Sequence, residues 1–271
     1  MTDPTPLIEA RFGHLPFTPP PDIPAALALL LDRRVTRRFK PDPIPGALLD
    51  TVLAAAQSAP SKSDMQQYSI VVLQDTGRIA AIADWIGTMP WIKDAPTLLV
   101  FCADIRRNRG ICERAGREHA NDNLDTVLNA SVDAALAMGM CIAAADATGL
   151  GTCPISYVRN HMEKVAPLLS LPKGVFPVAG LSLGWPAARQ EPSARLPPSI
   201  VIHRERYSSE GEAQDLGAYD ARRGPAKPRY PEIHGPAPDG CSWTENVARQ
   251  LSVPERAGFR TWLRSRGFAL D

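Results

Sequence analysis

LDTVLNASVDAALAMGMCIAAADATGLGTCPISY, residues 124–157, decides the fold. From Leu124 to Thr148 the pattern is that of one long helix, ended by Gly149. Its centre is rich in Ala, Gly and Met and apolar on every face, as in a helix buried on all sides. Small residues there permit close helix–helix approach, so two settings stay open: a domain core and a dimer interface. GLGTCPISY (149–157) then turns into a short strand. The dinucleotide fingerprint needs strand, glycine turn and helix in that order, with a third glycine. Here the order is helix, turn, strand, and the third glycine is missing. That fingerprint is therefore rejected.

Working outward, SIVVLQD (69–75), APTLLVFCAD (95–104) and VFPVAGLSLGWP (175–186) read as buried strands. AALALLLDRR (25–34), IPGALLDTVLAAAQSA (44–59, ending before Pro60), residues 76–86, NHMEKVAPLLSLP (160–172) and VPERAGFRTWLRSRGF (253–268) read as helices. Residues 1–21 look like an irregular lead-in and 106–122 like a polar surface insertion. The Pro- and Gly-rich stretch 187–242 reads as an extended arm. Helices and strands alternate, but the connections are too irregular for a βαβ series. An α+β fold with helices around a central sheet fits better. The expected division is 1–21 lead-in, 22–207 main domain and 208–271 C-terminal extension.

The 271 residues carry a net charge of +1, with 44% hydrophobic and 22% charged residues. That balance excludes the global basic field that drives nucleic-acid binding. Five cysteines without a C-x-x-C pair suit reduced thiols in a cytoplasmic protein. The N-terminus has no signal-like apolar core, and the run Ala134–Ala145 is too short to span a bilayer. A soluble, cytoplasmic protein is expected. The five histidines lack metal-ligand spacing, so no metal is expected. GLSLG (180–184) has the letters G-x-S-x-G but lies inside the run read as a buried strand, so no nucleophile elbow is read at Ser182 or Ser156, and no phosphate loop is present.

Two clusters carry candidate chemistry. RRVTRRFK (33–40) gathers Arg33, Arg34, Arg37, Arg38 and Lys40. Arg33 and Arg37 share a face whether the segment is helical or extended. Guanidinium forks suit phosphate, while a solvated helix end also favours cations. SAPSKSDMQQ (58–67) packs Ser58, Ser61, Ser63, Asp64, Gln66 and Gln67 between a helix and a strand. It reads equally as a ligand-binding loop and as a capped turn.

Together these segments resemble the FMN-dependent nitroreductase family, in its larger NADPH-type branch of oxygen-insensitive nitroreductases and flavin reductases. RRVTRRF is similar to the family's R-R-S-x-R-x-F signature, and APSKSDMQQ to its serine-rich loop. WIKDAPTLLVFCAD, ATGLGTCPISYVRN, LLSLPKGVFPVAGLSLGWP and RLPPSIVIHRERY follow in the family's order, over residues 33 to about 207. AYDARR and SWTENVARQ still look like its tail.

The resemblance implies a layered α+β fold with a central mixed sheet, in a homodimer with swapped terminal arms and FMN at two interfacial sites. It implies that Arg33 and Arg195 hold the FMN phosphate and that Arg37 approaches the ring edge. There a fixed guanidinium would favour the reduced, negatively charged flavin. Ser61, Ser63 and Gln66 match loop contacts, and Pro154, Ile155, Ser156 and Tyr157 match the segment beside the ring. Arg34 stands in the same signature.

Departures fall at Val35 (a Ser in the signature), Lys62 (a Ser), Met89 (a Gln), Ser193 (a Lys) and Ser156–Tyr157 (a Gly pair, so less space over the ring). PRYPEIHGPAPDGC offers no counterpart to an arginine-rich NADPH loop, which leaves NADPH and NADH both open as donor. The implied function is ping-pong reduction of a small-molecule acceptor (nitroaromatic, quinone or free flavin). The cofactor carries the chemistry, so no catalytic side chain is required. Alternatives are a flavin-destroying or dehalogenating member and a non-catalytic flavin- or anion-binding protein.

Overall fold

The structure, a computed structural model, describes residues 1–226 and 231–271. The reading of 228–241 as lacking an arginine loop rests partly on 228–230, outside the described residues. Contacts divide the chain into two units. One comprises Met1–Arg34 and Glu191–Glu255, the other Val35–Gln190 and Arg256–Asp271. The units interleave distant segments instead of following the expected cuts after residues 21 and 207.

In the first unit, α1 (Thr5–Phe12) and α2 (Ala25–Asp32) accompany α8 (Pro198–Val201), α9 (Glu212–Arg223), α10 (Pro231–His234) and α11 (Trp243–Leu251). The lead-in is thus not irregular. A proline sits in the first turn of α1, where no N–H is missed, and Gly13 (φ 73°) ends the helix with its N–H on Glu9 O. Thr2 and Ile23 exchange backbone hydrogen bonds of 3.1 and 2.9 Å, closing the lead-in on itself. The expected arm is likewise helical over α9. There Tyr219, buried, meets Trp243 of α11 edge-on at 5.4 Å.

The second unit holds α3 (Gly46–Gln57), α4 (Thr76–Ile86), α5 (Arg106–Arg114), α6 (Leu124–Ala147), α7 (Met162–Leu168) and α12 (Phe259–Ser265). Its sheet has β1 (Tyr68–Leu73), β2 (Thr97–Asp104), β3 (Gly151–Ile155) and β4 (Val175–Gly184) in the order β1-β2-β4-β3. Every pairing between these named strands is antiparallel. The expected mixed sheet is thus antiparallel among its four strands, with β2 and β3 running in the same sense on either side of β4, and its parallel element is a single bridge from Val35 to Thr152 of β3. β2 is buried along its whole length, which is why it reads as an unbroken apolar run. The polar stretch 106–122 is not a plain insertion, since its first half forms α5.

α3 and α6 cover one face of the sheet, packing Val52, Ala56, Ala134, Ala137 and Cys141 against Leu99, Phe101, Leu181 and Leu183. α12 docks on the same unit, where Phe176 meets Phe259 and Phe268 edge-on at 5.9 and 5.2 Å. α6 is long and apolar enough by composition to cross a membrane. Its small residues (Ala130, Ala134, Ala137, Ala145) instead line the core. The expectation of burial on all sides needs correction. Leu124, Leu128, Val132, Leu136 and Met140 recur every fourth residue and are 39–59% exposed, because the buried face is a different one, made mostly of small residues with Val127 and Ile142.

Candidate functional site

The arginine cluster straddles the boundary between the two units, and each half is built separately. In the first unit α2 stops at Asp32, since Arg33 leaves helical geometry (φ −55°, ψ 136°). Arg34 turns back onto Asp32, with its Nη1 2.7 Å from the carboxylate and 2.9 Å from the Asp32 carbonyl. Its Nε is buried and has no acceptor among the described residues. The half-buried Arg33 guanidinium makes no hydrogen bond or ion pair among the described residues.

Arg11 of α1 joins this segment to the one bearing Arg195. Arg11 is 7% exposed. Its Nε donates to Leu31 O at 2.9 Å, Nη1 to Ser193 O at 3.2 Å and Nη2 to Arg33 O. The Arg195 N–H in turn donates to Arg11 O at 2.8 Å. Burial first, and then the charges of Arg195, Arg33 and Arg34, hold the Arg11 guanidinium below its ordinary pKa, with Asp32 opposing. Four cations thus gather beside one acid. Ser193 contributes a backbone carbonyl to this arrangement, while its exposed side chain has no part in it.

In the second unit Val35–Lys40 is non-helical, held by isolated bridges at Val35 and Phe39. Val35 forms a parallel bridge with Thr152, and Thr36 N–H donates to Thr152 O at 2.8 Å. Gly151 allows this approach, because a Cβ there would lie 2.2 Å from Thr36 Oγ1. Lys40 N–H bonds Trp185 O, and Ala187 N–H bonds Arg38 O. Thr36 and Phe39 point inward, Arg37 is half-buried, and Arg38 and Lys40 are exposed.

The loop Ser61–Gln67 brings Ser61, Lys62, Ser63 and Gln66 together. It is an unusual backbone: Ser63, Asp64 and Gln66 take φ of 50, 57 and 50° without being glycine. Such strain persists only where the surroundings over-determine it. Asp133 of α6, 1% exposed, accepts the N–H of Lys62 at 2.9 Å and of Gln67 at 3.0 Å. From the other side Arg107 of α5 donates to Gln66 O at 2.7 Å and Tyr68 O at 3.1 Å. Ser61 Oγ accepts the Gln66 N–H at 3.2 Å, so this hydroxyl also shapes the loop. A cavity of about 560 Å³ opens beside the loop, between Asp64, Gln66, Tyr68 and Arg107.

Pro154 and Ser156 are exposed at the end of β3, whereas Ile155 and Tyr157 are buried. Tyr157 is therefore turned into the unit, and the expected narrowing above a ligand falls to Ser156 alone. Met89, half-buried, precedes the short turn Pro90–Asp94. Sequence reasoning missed Arg11, Asp133, Arg107 and Thr36. Asp133 had a signal, being a lone acid in the middle of an apolar helix; Arg11 had none.

Within the first unit, the Arg33 guanidinium without a partner among the described residues and the orphaned Arg34 Nε suit a phosphate group. The nitroreductase family profile matches residues 30–185, and the family's C-terminal domain profile matches 193–271. The FMN reductase [NAD(P)H] of Bacillus subtilis (strain 168) is 34% identical over 245 residues, covering 89% of this chain and 97% of the relative. The oxygen-insensitive NADPH nitroreductase of Salmonella typhimurium is 32% identical, covering 90% and 98%. Among solved structures, the hypothetical oxidoreductase YcnD from Bacillus subtilis superimposes with a TM-score of 0.82 at 32% identity, over 92% of this chain and all of that one (100%). The NADPH:FMN oxidoreductase from Vibrio harveyi, solved with NAD⁺, gives 0.78 at 28% identity over 90% and 98%. The chain belongs to the nitroreductase family.

Proposed function

We propose that the protein is an FMN-dependent NAD(P)H oxidoreductase that reduces a small-molecule acceptor of the nitroaromatic, quinone or free-flavin kind. The observation that carries this reading is the convergence, in one unit, of the Arg33 and Arg195 segments on a buried arginine. Two guanidinium groups distant in sequence are held near each other with a single acid nearby. A bound dianion relieves that repulsion; a solvated helix end has no need of the arrangement. FMN, when bound, supplies the hydride chemistry between the nicotinamide donor and the acceptor. The chain's own residues then have binding and orienting roles. Arg33 and Arg195 take the phosphate, and Arg34 Nε offers a further buried donor. Arg37 is assigned to the ring edge, Ser61, Lys62, Ser63 and Gln66 to polar contacts, and Pro154–Ser156 to the backbone beside the ring. Met89 and the Ser193 side chain have no supporting geometry in that role.

The protein is proposed to work as a homodimer in the cytoplasm. The four-residue repeat of large apolar side chains on α6 supports pairing through that helix, since a monomer gains nothing from exposing it. Steady-state assays with added FMN and either NADPH or NADH test the function. Parallel initial-rate lines for nitroaromatic, quinone or flavin acceptors are expected. Absence of turnover with every donor–acceptor pair would overturn it.

A further inference from the structure

We propose that Arg11, on the N-terminal helix ahead of the family-matched residues 30–185, is a positioning residue for the flavin-phosphate subsite. This inference rests on the reading that Arg33 and Arg195 take that phosphate. Arg11 does not itself reach out to a ligand. It is buried, and its Nε, Nη1 and Nη2 each donate to a backbone carbonyl, of Leu31, Ser193 and Arg33. Leu31 lies in the last turn of α2, where carbonyls lack helical partners and a cation is favoured. Ser193 and Arg33 lie on the two segments that carry the phosphate-binding side chains. The Arg11 carbonyl also receives the Arg195 N–H at 2.8 Å. One residue thereby fixes the backbone at four points, and both phosphate-directed arginines leave from backbone that Arg11 holds.

Charge adds a second contribution. Arg195, Arg33 and Arg34 each press on Arg11 electrostatically, with Asp32 as the counter-charge. Burying a cation among cations is unfavourable unless an anion shares the site. A phosphate supplies that anion, and the planar fork, unlike an ammonium, can meet three carbonyls at once. Arg11 thus ties retention of a phosphorylated ligand to a helix lying outside the family match.

The test compares FMN with riboflavin, which lacks the phosphate. Affinities of the apoprotein for both flavins are measured by fluorescence quenching, for wild type, Arg11→Met, Arg11→Lys and Arg195→Ala. For Arg11→Met, FMN affinity should fall on the order of 10- to 100-fold, with riboflavin affinity unchanged within about twofold. A purely structural role would weaken both flavins equally, and that result would overturn the inference. Arg11→Lys keeps charge and length if the methionine variant fails to fold. It too should lose most of the FMN preference, and a wild-type preference in it would overturn the fork-based role. Arg195→Ala reports on the underlying reading. If it lowers the FMN preference and Arg11→Met does not, only Arg11 is removed from the account. If neither alters it, the assignment of the phosphate to these arginines falls as well.

Discussion

Asp133→Asn is the most informative single change in the sheet unit. The carboxylate sits on α6 at 1% exposure and accepts two backbone N–H groups, from Lys62 at 2.9 Å and Gln67 at 3.0 Å. Hydrogen bonds to a charged group contribute about 1.5–3 kcal/mol each. Asparagine keeps one acceptor oxygen but turns an NH2 toward the other N–H, so one bond is lost and a donor faces a donor. A local cost of about 2–3 kcal/mol follows. The loop is poorly placed to absorb it, because Ser63, Asp64 and Gln66 already hold φ of 50–57°, costing about 1 kcal/mol or more each. At roughly 1.4 kcal/mol per tenfold, the loop should open about 30- to 150-fold more often.

Hydrogen exchange, resolved by residue, is the assay. The amides of Lys62 and Gln67 should exchange faster by that factor, while amides in β2 hold their protection and flavin affinity falls with the loop. Unchanged exchange at both amides would refute the bracing role of Asp133. Faster exchange with unchanged flavin affinity would instead remove the loop from the flavin site.

Three further outcomes are expected. Gly151→Ala places a methyl 2.2 Å from Thr36 Oγ1, so it should lower stability by about 1–3 kcal/mol and weaken flavin retention by displacing Val35–Arg37; denaturant titration with flavin release checks both. Leu128→Lys puts a charge on an exposed stripe residue (59% exposed), and should leave the monomer's circular dichroism intact while light scattering shows dimer lost to monomer; an unchanged oligomeric state would move the interface elsewhere. Burial, aided at Cys102 by Asp104, pushes the Cys102 and Cys141 thiols up to about 12. Because the folded state holds these protons more tightly than the unfolded chain, their contribution is complete below about pH 9 and is lost as pH rises toward about 12. The native protein should therefore denature in alkali, and at pH 8 a disulfide reagent should label the half-buried Cys112 well before either, as peptide mapping would show.

Much of the sheet unit is legible in the sequence, because its elements bury one kind of side chain at a steady period. α4, β2 and β4 fall where alternating or continuous apolar runs place them. α6 is legible in its length but not in its faces. The difference between a small and a large apolar residue settles which side meets the sheet, and periodicity of hydrophobicity alone ignores size. The first unit is harder to read. α1 is short and α9 polar, and they are stabilised by contacts between segments distant in sequence that no local pattern records. The same holds at the site. Arg33, Arg37 and Ser61 stand out by local density, whereas Arg11 acts only through carbonyls contributed by residues 31, 33 and 193. Asp133 lies between these cases, visible as an isolated acid but silent about which amides it holds.

The most direct test of the central claim is an anaerobic titration of the FMN-loaded protein. The account predicts a yellow protein that NADPH or NADH bleaches at about one equivalent per bound flavin, and that a nitroaromatic or quinone then recolours. Failure to bind FMN, or bound flavin that neither nucleotide bleaches, would contradict it.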